Sequence, residues 1–289
     1  MTSGLVVVDK AAGWTSHDVV ARCRRVFGQR RVGHSGTLDP DATGVLLVGL
    51  GRATRLLRFL TDLPKSYVGE VVLGVATSTL DAGGEVTGRW DMSGISLDEV
   101  RAAAARFVGP IEQVPPMVSA VKVRGRRLHE LARAGVDVHR QPRTVVVHRL
   151  EVGPSPEPGV VSMGVECSSG TYVRSLAADL GAALGGGAHL RRLRRTAIGS
   201  FGLGEAHPVE DLSFDLVLTP AEAMRDYPAV TAGPEVAAAV SHGSALSLDR
   251  LGVGGEGPWA VRDESGRLLA VYERAGGERA RPAVVLAPA

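Results

Sequence analysis

The sequence predicts an α+β protein with a mixed, largely antiparallel central sheet flanked by helices, followed by a small β-rich C-terminal domain. Three observations carry this. Strand-like and helix-like runs are interspersed without the strand–helix–strand rhythm of a doubly wound fold. From about residue 205 the chain changes character, passing through Ala206-His207-Pro208 and Thr219-Pro220 into Ala- and Gly-rich sequence. The tail then holds three short β-rich runs, Trp259–Arg262, Leu268–Tyr272 and Ala283–Leu286. The expected division is 1–227 and 228–289, with no internal repeat.

The elements follow in order. Leu5–Val8 reads as a buried strand. Thr15 and Ser16 are good N-caps for a helix through Val19, Val20, Cys23 and Val26 that stops at Gly28. Residues 33–44, with three Gly, one Pro and two Thr, read as loop. Val45–Val48 is a strand, Arg52–Leu60 has helical spacing, and Tyr67–Val75 is a strand. Ser96-Leu97-Asp98-Glu99 is a capping box for an Ala-rich helix ending at Gly109. Pro115-Pro116 opens an extended segment through Val123, and a short helix is expected around Leu128–Ala132. Thr144–Val152 and Val160–Cys167 form a strand pair, Thr171–Leu184 is helical, and Leu190–Ile198 is a strand with a basic face.

Composition narrows the function classes. Aromatics make up only 4% of the chain, so the core is built from Val, Leu and Ala and each Tyr stands out. The two cysteines, Cys23 and Cys167, cannot make a disulfide framework, and no Cys/His cluster has zinc spacing. The N-terminal apolar run is too short for a signal peptide, and no window reaches membrane-span length. A cytoplasmic protein without metal or membrane partner is expected. Net charge is only +2, but the cations cluster. Residues 22–31 hold Arg22, Arg24, Arg25, Arg30 and Arg31 with no acid. Residues 121–145 are similarly Arg-rich, and 191–195 hold Arg191, Arg192, Arg194 and Arg195. Solvated faces and phosphate contacts are both open readings of these clusters.

Three pieces carry chemistry. In the loop, Gly33, Gly36 and Gly44 permit unusual backbone, and Pro40 keeps Asp39 out of helical geometry. Asp39 is then either a carboxylate on a stiff corner or a plain Asp turn. Tyr67, one of four tyrosines, is a stacking platform or a core ring. Arg174 falls in the first turn of its helix, where the dipole disfavours a cation, so it calls for a carboxylate or phosphate partner.

Together these blocks resemble a known family. Val32-Gly33-His34-Ser35-Gly36-Thr37-Leu38-Asp39-Pro40-Asp41-Ala42-Thr43-Gly44 is similar to the catalytic motif of the TruB-type tRNA pseudouridine synthases. The likeness extends to Leu5–Ser16, Lys65-Ser66-Tyr67, Thr79–Gly84, Pro115–Lys122 with Gly125–Leu128, Ser169–Arg174 and Gly187–Arg195, in the family's order over about residues 4–200.

The resemblance implies a pseudouridine-synthase fold, a PUA-like C-terminal domain and an insertion at about 110–143 that closes over RNA. It implies isomerisation of uridine 55 in the TΨC arm of tRNA to pseudouridine, without cofactor or metal, by a bacterial stand-alone monomer. Asp39 becomes the nucleophile or the stabiliser of the ribosyl centre, and Arg174 its charge partner. Tyr67 becomes the stacking ring and candidate base for the C5 proton. Tyr172 and Leu193 become pocket walls, and His34 the residue filling the gap left by the extruded nucleotide. Lys10, Asp81, Arg191 and Arg192 join them as substrate-binding positions, the arginines along the phosphate backbone. The tail, Gly- and Ala-rich, matches only faintly. A second reading is an RNA-binding or tRNA-folding module in which catalysis is secondary. A third is a guide-RNA-dependent synthase, disfavoured because no long basic tail is present.

Overall fold

The structure, a computed structural model, describes residues 2–119, 122–123, 126–127, 136 and 138–286. The helix expected at Leu128–Ala132 and much of the insertion's basic run lie outside the described residues. The chain divides into two compact units. The first is Met1–Pro40, Gly44–Thr61 and Ile198–Ala289; the second is Asp41–Thr43 and Asp62–Ala197.

The first unit is built on the strand Gly4–Lys10, buried along nearly its whole length. It runs antiparallel to Thr43–Leu50 and parallel to His207–Pro208. Burial on both faces explains its continuous apolar sequence. The helix Ser16–Val26 is capped by Thr15, whose hydroxyl and Asp18 form a reciprocal capping box. It turns Val19, Val20 and Cys23 onto Val6, Val8, Leu46 and Val48.

The predicted loop 33–44 begins instead as a strand, Val32–Ser35, antiparallel to the Val45 strand, with His34 opposite Val48. Its glycine misled the reading. A Cβ on Gly33 or on its partner Gly49 would stand 3.1 Å from Leu57 side-chain atoms. Close approach of that leucine, not a turn, explains both glycines. The segment expected as one helix over Arg52–Leu60 is a 3₁₀ stretch, Gly51–Leu56, followed by an α-helix, Leu57–Asp62.

The C-terminal part of this unit is a separate five-stranded sheet in the order Ala229–Thr231, Trp259–Arg262, Leu268–Arg274, Arg279–Val285, Leu246–Ser247. Trp259, Val261, Leu269 and Tyr272 fill its core with Val240 of the helix Pro234–Ser241. The three strands expected in the tail are present. The two other strands are not legible in the sequence, since runs of two or three residues carry no periodicity, and the helices Pro234–Ser241 and Leu248–Leu251 add to the expected elements.

In the second unit the sheet order is Ala188–Ile198, Lys65–Leu73, Val160–Cys167, Arg143–Pro154, Gly109–Gln113. Tyr67 pairs with Val165. The helices Leu97–Ala105, capped by the Ser96–Glu99 box, and Val173–Ala183 cover it. Val100, Leu176 and Leu180 pack on Val71, Val147 and Met163. The Tyr67 strand stops at Leu73, earlier than expected. Gly74 takes φ +80°, where a Cβ would also meet the Trp90 carbonyl oxygen at 2.6 Å.

Gly69, two residues beyond Tyr67, provides a test. A Cβ there would sit 2.7 Å from the backbone oxygen of Arg192, whereas one on Gly164 of the same sheet meets nothing within 4 Å. Gly69→Ala should cost about 1–3 kcal/mol in chemical denaturation, and Gly164→Ala should be neutral or slightly stabilising. Equal effects would contradict this packing.

Candidate active site

The first unit holds Asp39, His34 and Lys10. Asp39 is half-buried between two residues whose backbones are fixed. On one side the Ser16 hydroxyl accepts from the Leu38 N–H at 3.0 Å and donates to the Leu38 carbonyl at 3.2 Å. On the other, the Pro40 carbonyl accepts from Lys10 Nζ at 2.9 Å and from the Gly13 N–H at 3.0 Å. Gly36 at φ +74° and Gly44 at φ +101° allow the bends at the two ends. The Asp39 carboxylate therefore rides on a short, doubly anchored backbone rather than in a free turn.

Lys10 requires a correction. It has no exposed surface. Its ammonium donates to the carbonyls of Ala11 at 3.0 Å, Trp14 at 2.7 Å and Pro40 at 2.9 Å. It holds the loop. In the sequence Ser16 reads only as a possible cap. Thr15 takes that role, which leaves the Ser16 side chain for Leu38. His34, half-buried, meets His17 edge-on with ring centroids 5.4 Å apart.

The second unit brings together Tyr67, Arg174, Asp81, Tyr172, Leu193 and the 191–195 arginines. Arg174 is 5% exposed. Its guanidinium donates to the Thr79 carbonyl at 3.0 Å, to Asp81 Oδ2 at 3.1 Å and to the Val118 carbonyl at 2.8 Å. The expectation that a first-turn arginine needs a partner is met by Asp81. Asp81 is itself oriented by the Thr79 hydroxyl at 2.5 Å and the Gly83 N–H at 3.1 Å. Between them Leu80 takes φ +63°, the one non-glycine residue with positive φ among the described residues. Leu80 is held there by the Leu190 N–H, 3.0 Å from its carbonyl.

Tyr172 caps the Arg174 helix without a side-chain bond. Gln113, 2% exposed, clamps it instead. Its Oε1 accepts from the Tyr172 N–H at 2.9 Å and its Nε2 donates to the Tyr172 carbonyl at 3.2 Å. No motif announced Gln113; it closes the strand Gly109–Gln113, which the sequence did not mark. Tyr67 and Leu193 both pack, half-buried, against the core of this unit.

The four arginines of 191–195 have different fates. Arg195 is 1% exposed and donates to the Tyr67 hydroxyl. Burial pulls its pKa down and Tyr67 pushes it back up. Neither open reading of the cluster, solvated face or phosphate contact, describes Arg195: strand alternation turns it inward onto Tyr67. Arg191 is held by Glu157 and by Glu70 at 2.9 Å, and these carboxylates raise its pKa. Arg194 donates to Thr43 Oγ1 at 3.3 Å, and the Arg192 side chain is 75% exposed. Both cysteines are buried, and burial pushes each thiol up to about 11, so neither is nucleophilic at neutral pH. Among the described residues no group of three or more His, Cys, Asp or Glu could hold a metal. No helix among them is long and apolar enough to cross a membrane.

Against known proteins, the N-terminal-domain model of the TruB family of pseudouridylate synthases matches residues 24–173. The chain belongs to the TruB family. The C-terminal-domain model of tRNA pseudouridylate synthase B matches residues 174–226. Relatives named tRNA pseudouridine synthase B are 46% identical in Rhodococcus jostii (strain RHA1), over 99% of this chain and 95% of theirs, and 46% identical in Thermobifida fusca (strain YX), over 99% of both. Among solved structures, a Cbf5–Nop10–Gar1 complex superposes with a TM-score of 0.78 at 28% identity, covering 99% of this chain and 85% of that one. An H/ACA RNP bound to a substrate RNA containing 2′-deoxyuridine gives 0.75 at 25%, with the same coverages. This TruB-family chain is therefore an isomerase of the pseudouridine-synthase class, with that class's mixed-sheet fold and a C-terminal β-domain of the PUA-like kind.

Lys65, on the Tyr67 strand, gives a pH-dependent test. It is 5% exposed, and burial first, then the neighbouring Arg195, push its pKa down from 10.5 to about 8. Between these values the unfolded chain keeps a proton that the folded chain releases, so stability from this group rises with pH. Relative to Lys65→Met, the wild type should gain about 3 kcal/mol in chemical denaturation from below pH 8 to above pH 10. Parallel pH curves would contradict this.

Proposed function

We propose that this TruB-family chain converts uridine 55 in the TΨC arm of tRNA to pseudouridine, with Asp39 as the group acting at the sugar–base bond. The observation that carries the reading is the doubly anchored Leu38-Asp39-Pro40 backbone within the family's motif. A carboxylate attacking or stabilising a sugar carbon needs such fixed placement. Relatives bearing the tRNA pseudouridine synthase name at 46% identity over nearly the whole chain support the substrate.

The reaction breaks the C1′–N1 bond, turns the uracil and forms a C1′–C5 bond; C5 gives up a proton and N1 gains one. No atoms or electrons are left over, so no cofactor is required. A uridine inside a folded arm is out of reach until it leaves the stack, at a cost of about a few kcal/mol. Tyr67 stacks on the extruded uracil and takes the C5 proton, with Arg195 donating to its hydroxyl. Tyr172 and Leu193 wall the base. His34 fills the gap in the arm. Arg174 is held in place by Asp81, and Arg192 meets backbone phosphate. Residues 1–227 carry the chemistry, and 228–289 serve as a PUA-like RNA-binding domain. The enzyme works as a cytoplasmic monomer.

The test is tritium release from C5-tritiated tRNA and from a bare TΨC-arm hairpin. Wild type should release tritium from both. Asp39→Asn should lower release by roughly 10³-fold or more and keep RNA affinity. Tight binding with no wild-type release would favour an RNA-folding module instead. Loss of binding in Asp39→Asn would make Asp39 structural.

A further inference from the structure

Five arginines lie between residues 22 and 31, and no acid does. Elsewhere in the first unit several exposed arginines are paired with carboxylates, Arg58 with Glu273, Arg225 with Glu205, Arg250 with Glu235 and Arg267 with Asp263, while Arg52 and Arg55 donate to the carbonyls of Leu286 and Val285. In this cluster Arg24 donates only to the Val32 carbonyl at 3.4 Å and Arg31 only to the Thr54 hydroxyl at 3.0 Å. Arg22, Arg25 and Arg30 make no hydrogen bond or ion pair with any described residue. Arg24, Arg25, Arg30 and Arg31 are exposed and Arg22 is half-buried. The helix C-terminus favours cations in its last turn, which accounts for Arg24 and Arg25. It does not account for Arg30 and Arg31, or for five cations gathered without one carboxylate.

The helix Ser16–Val26 also carries a groove of about 320 Å³, lined by Gly13, Trp14, Asp18, Ala21 and Arg25. An indole stands at one end and a guanidinium at the other, with the small Ala21 between. Asp18, the acid here, has its Oδ2 bound by the Thr15 N–H at 2.8 Å and hydroxyl at 2.6 Å. The helix begins at the reactive loop, through Ser16 to Leu38 and His17 against His34. From Ser16 to Arg25 is about 14 Å along the axis, roughly four nucleotides of stacked strand.

We infer that the exposed face of the helix Ser16–Val26 is an RNA-contact surface, along which the strand flanking the reacting uridine runs. Arg22, Arg25 and Arg30 meet its phosphates, and the Trp14–Arg25 groove receives one nucleotide. Unneutralised guanidiniums suit phosphate oxygens, and contiguity with the loop of His34 and Asp39 gives the strand its direction. This rests on RNA being the substrate, as proposed above.

The experiment uses the full chain carrying Arg22→Gln, Arg25→Gln and Arg30→Gln together, with Arg149→Gln as control because Arg149 pairs with Glu151. RNA binding is measured directly across a salt series, and tritium release gives KM and kcat. The triple variant should raise KM roughly tenfold at low salt, with kcat within about twofold, and flatten the log K against log salt slope by about 2–3. The control should match wild type. An unchanged slope and KM would overturn the inference, and so would a fall in kcat with the slope intact, which marks a structural effect. Direct binding keeps the two readings separate: a wild type that binds RNA without releasing tritium would sink the isomerase reading and still test this surface.

Discussion

Everything proposed for this protein depends on a carboxylate being held still on a loop, and a fully buried lysine does much of the holding. Lys10 directs its three protons to three carbonyls, one of them that of Pro40. Ser16 fixes the residue on the other side of Asp39 through both its N–H and its carbonyl. A buried ammonium is tolerable only when fully hydrogen-bonded, so the loop and the lysine require each other. The strand Gly4–Lys10 and the cap of the Ser16 helix are thereby tied to the chemistry, although neither supplies a reacting group.

The second unit follows the same logic with different parts. Arg174 is buried because Asp81 and two carbonyls receive it, and Asp81 is aimed by a loop that places Leu80 at positive φ. Gln113 clamps the backbone of Tyr172 from both sides, and Arg195 stands behind the Tyr67 hydroxyl. The groups proposed to touch uracil are thus backed by buried polar side chains whose positions are over-determined. Preorganisation of this kind is how a site acts without rearranging during reaction.

Much of this was legible in the sequence. Long periodic runs gave the helices at 16–26, 97–105 and 173–183 and the main strands, and the Ser96–Glu99 box marked its helix start. Family-like blocks marked Asp39, Tyr67 and Arg174. What was not legible has physical reasons. Gly33 looked like a turn residue because the leucine it makes room for is 24 residues away. Lys10 looked like an RNA ligand, and Arg195 like a solvated or phosphate-facing cation, because a charge in sequence carries no sign of burial. Gln113 and Ser16 act through backbone atoms of distant residues, which no spacing rule encodes. The strands Ala229–Thr231 and Leu246–Ser247 are too short to show alternation.

The central claim, that Asp39 acts at the sugar–base bond of an extruded uridine, is tested most directly by a crystal structure of the protein with a TΨC-arm hairpin carrying 5-fluorouridine at the target position. The account predicts the pyrimidine out of the helical stack, lying on Tyr67, with its ribose C1′ within about 3.5 Å of an Asp39 carboxylate oxygen. A target base still stacked in the arm, or an Asp39 carboxylate turned away from the ribose, would contradict it.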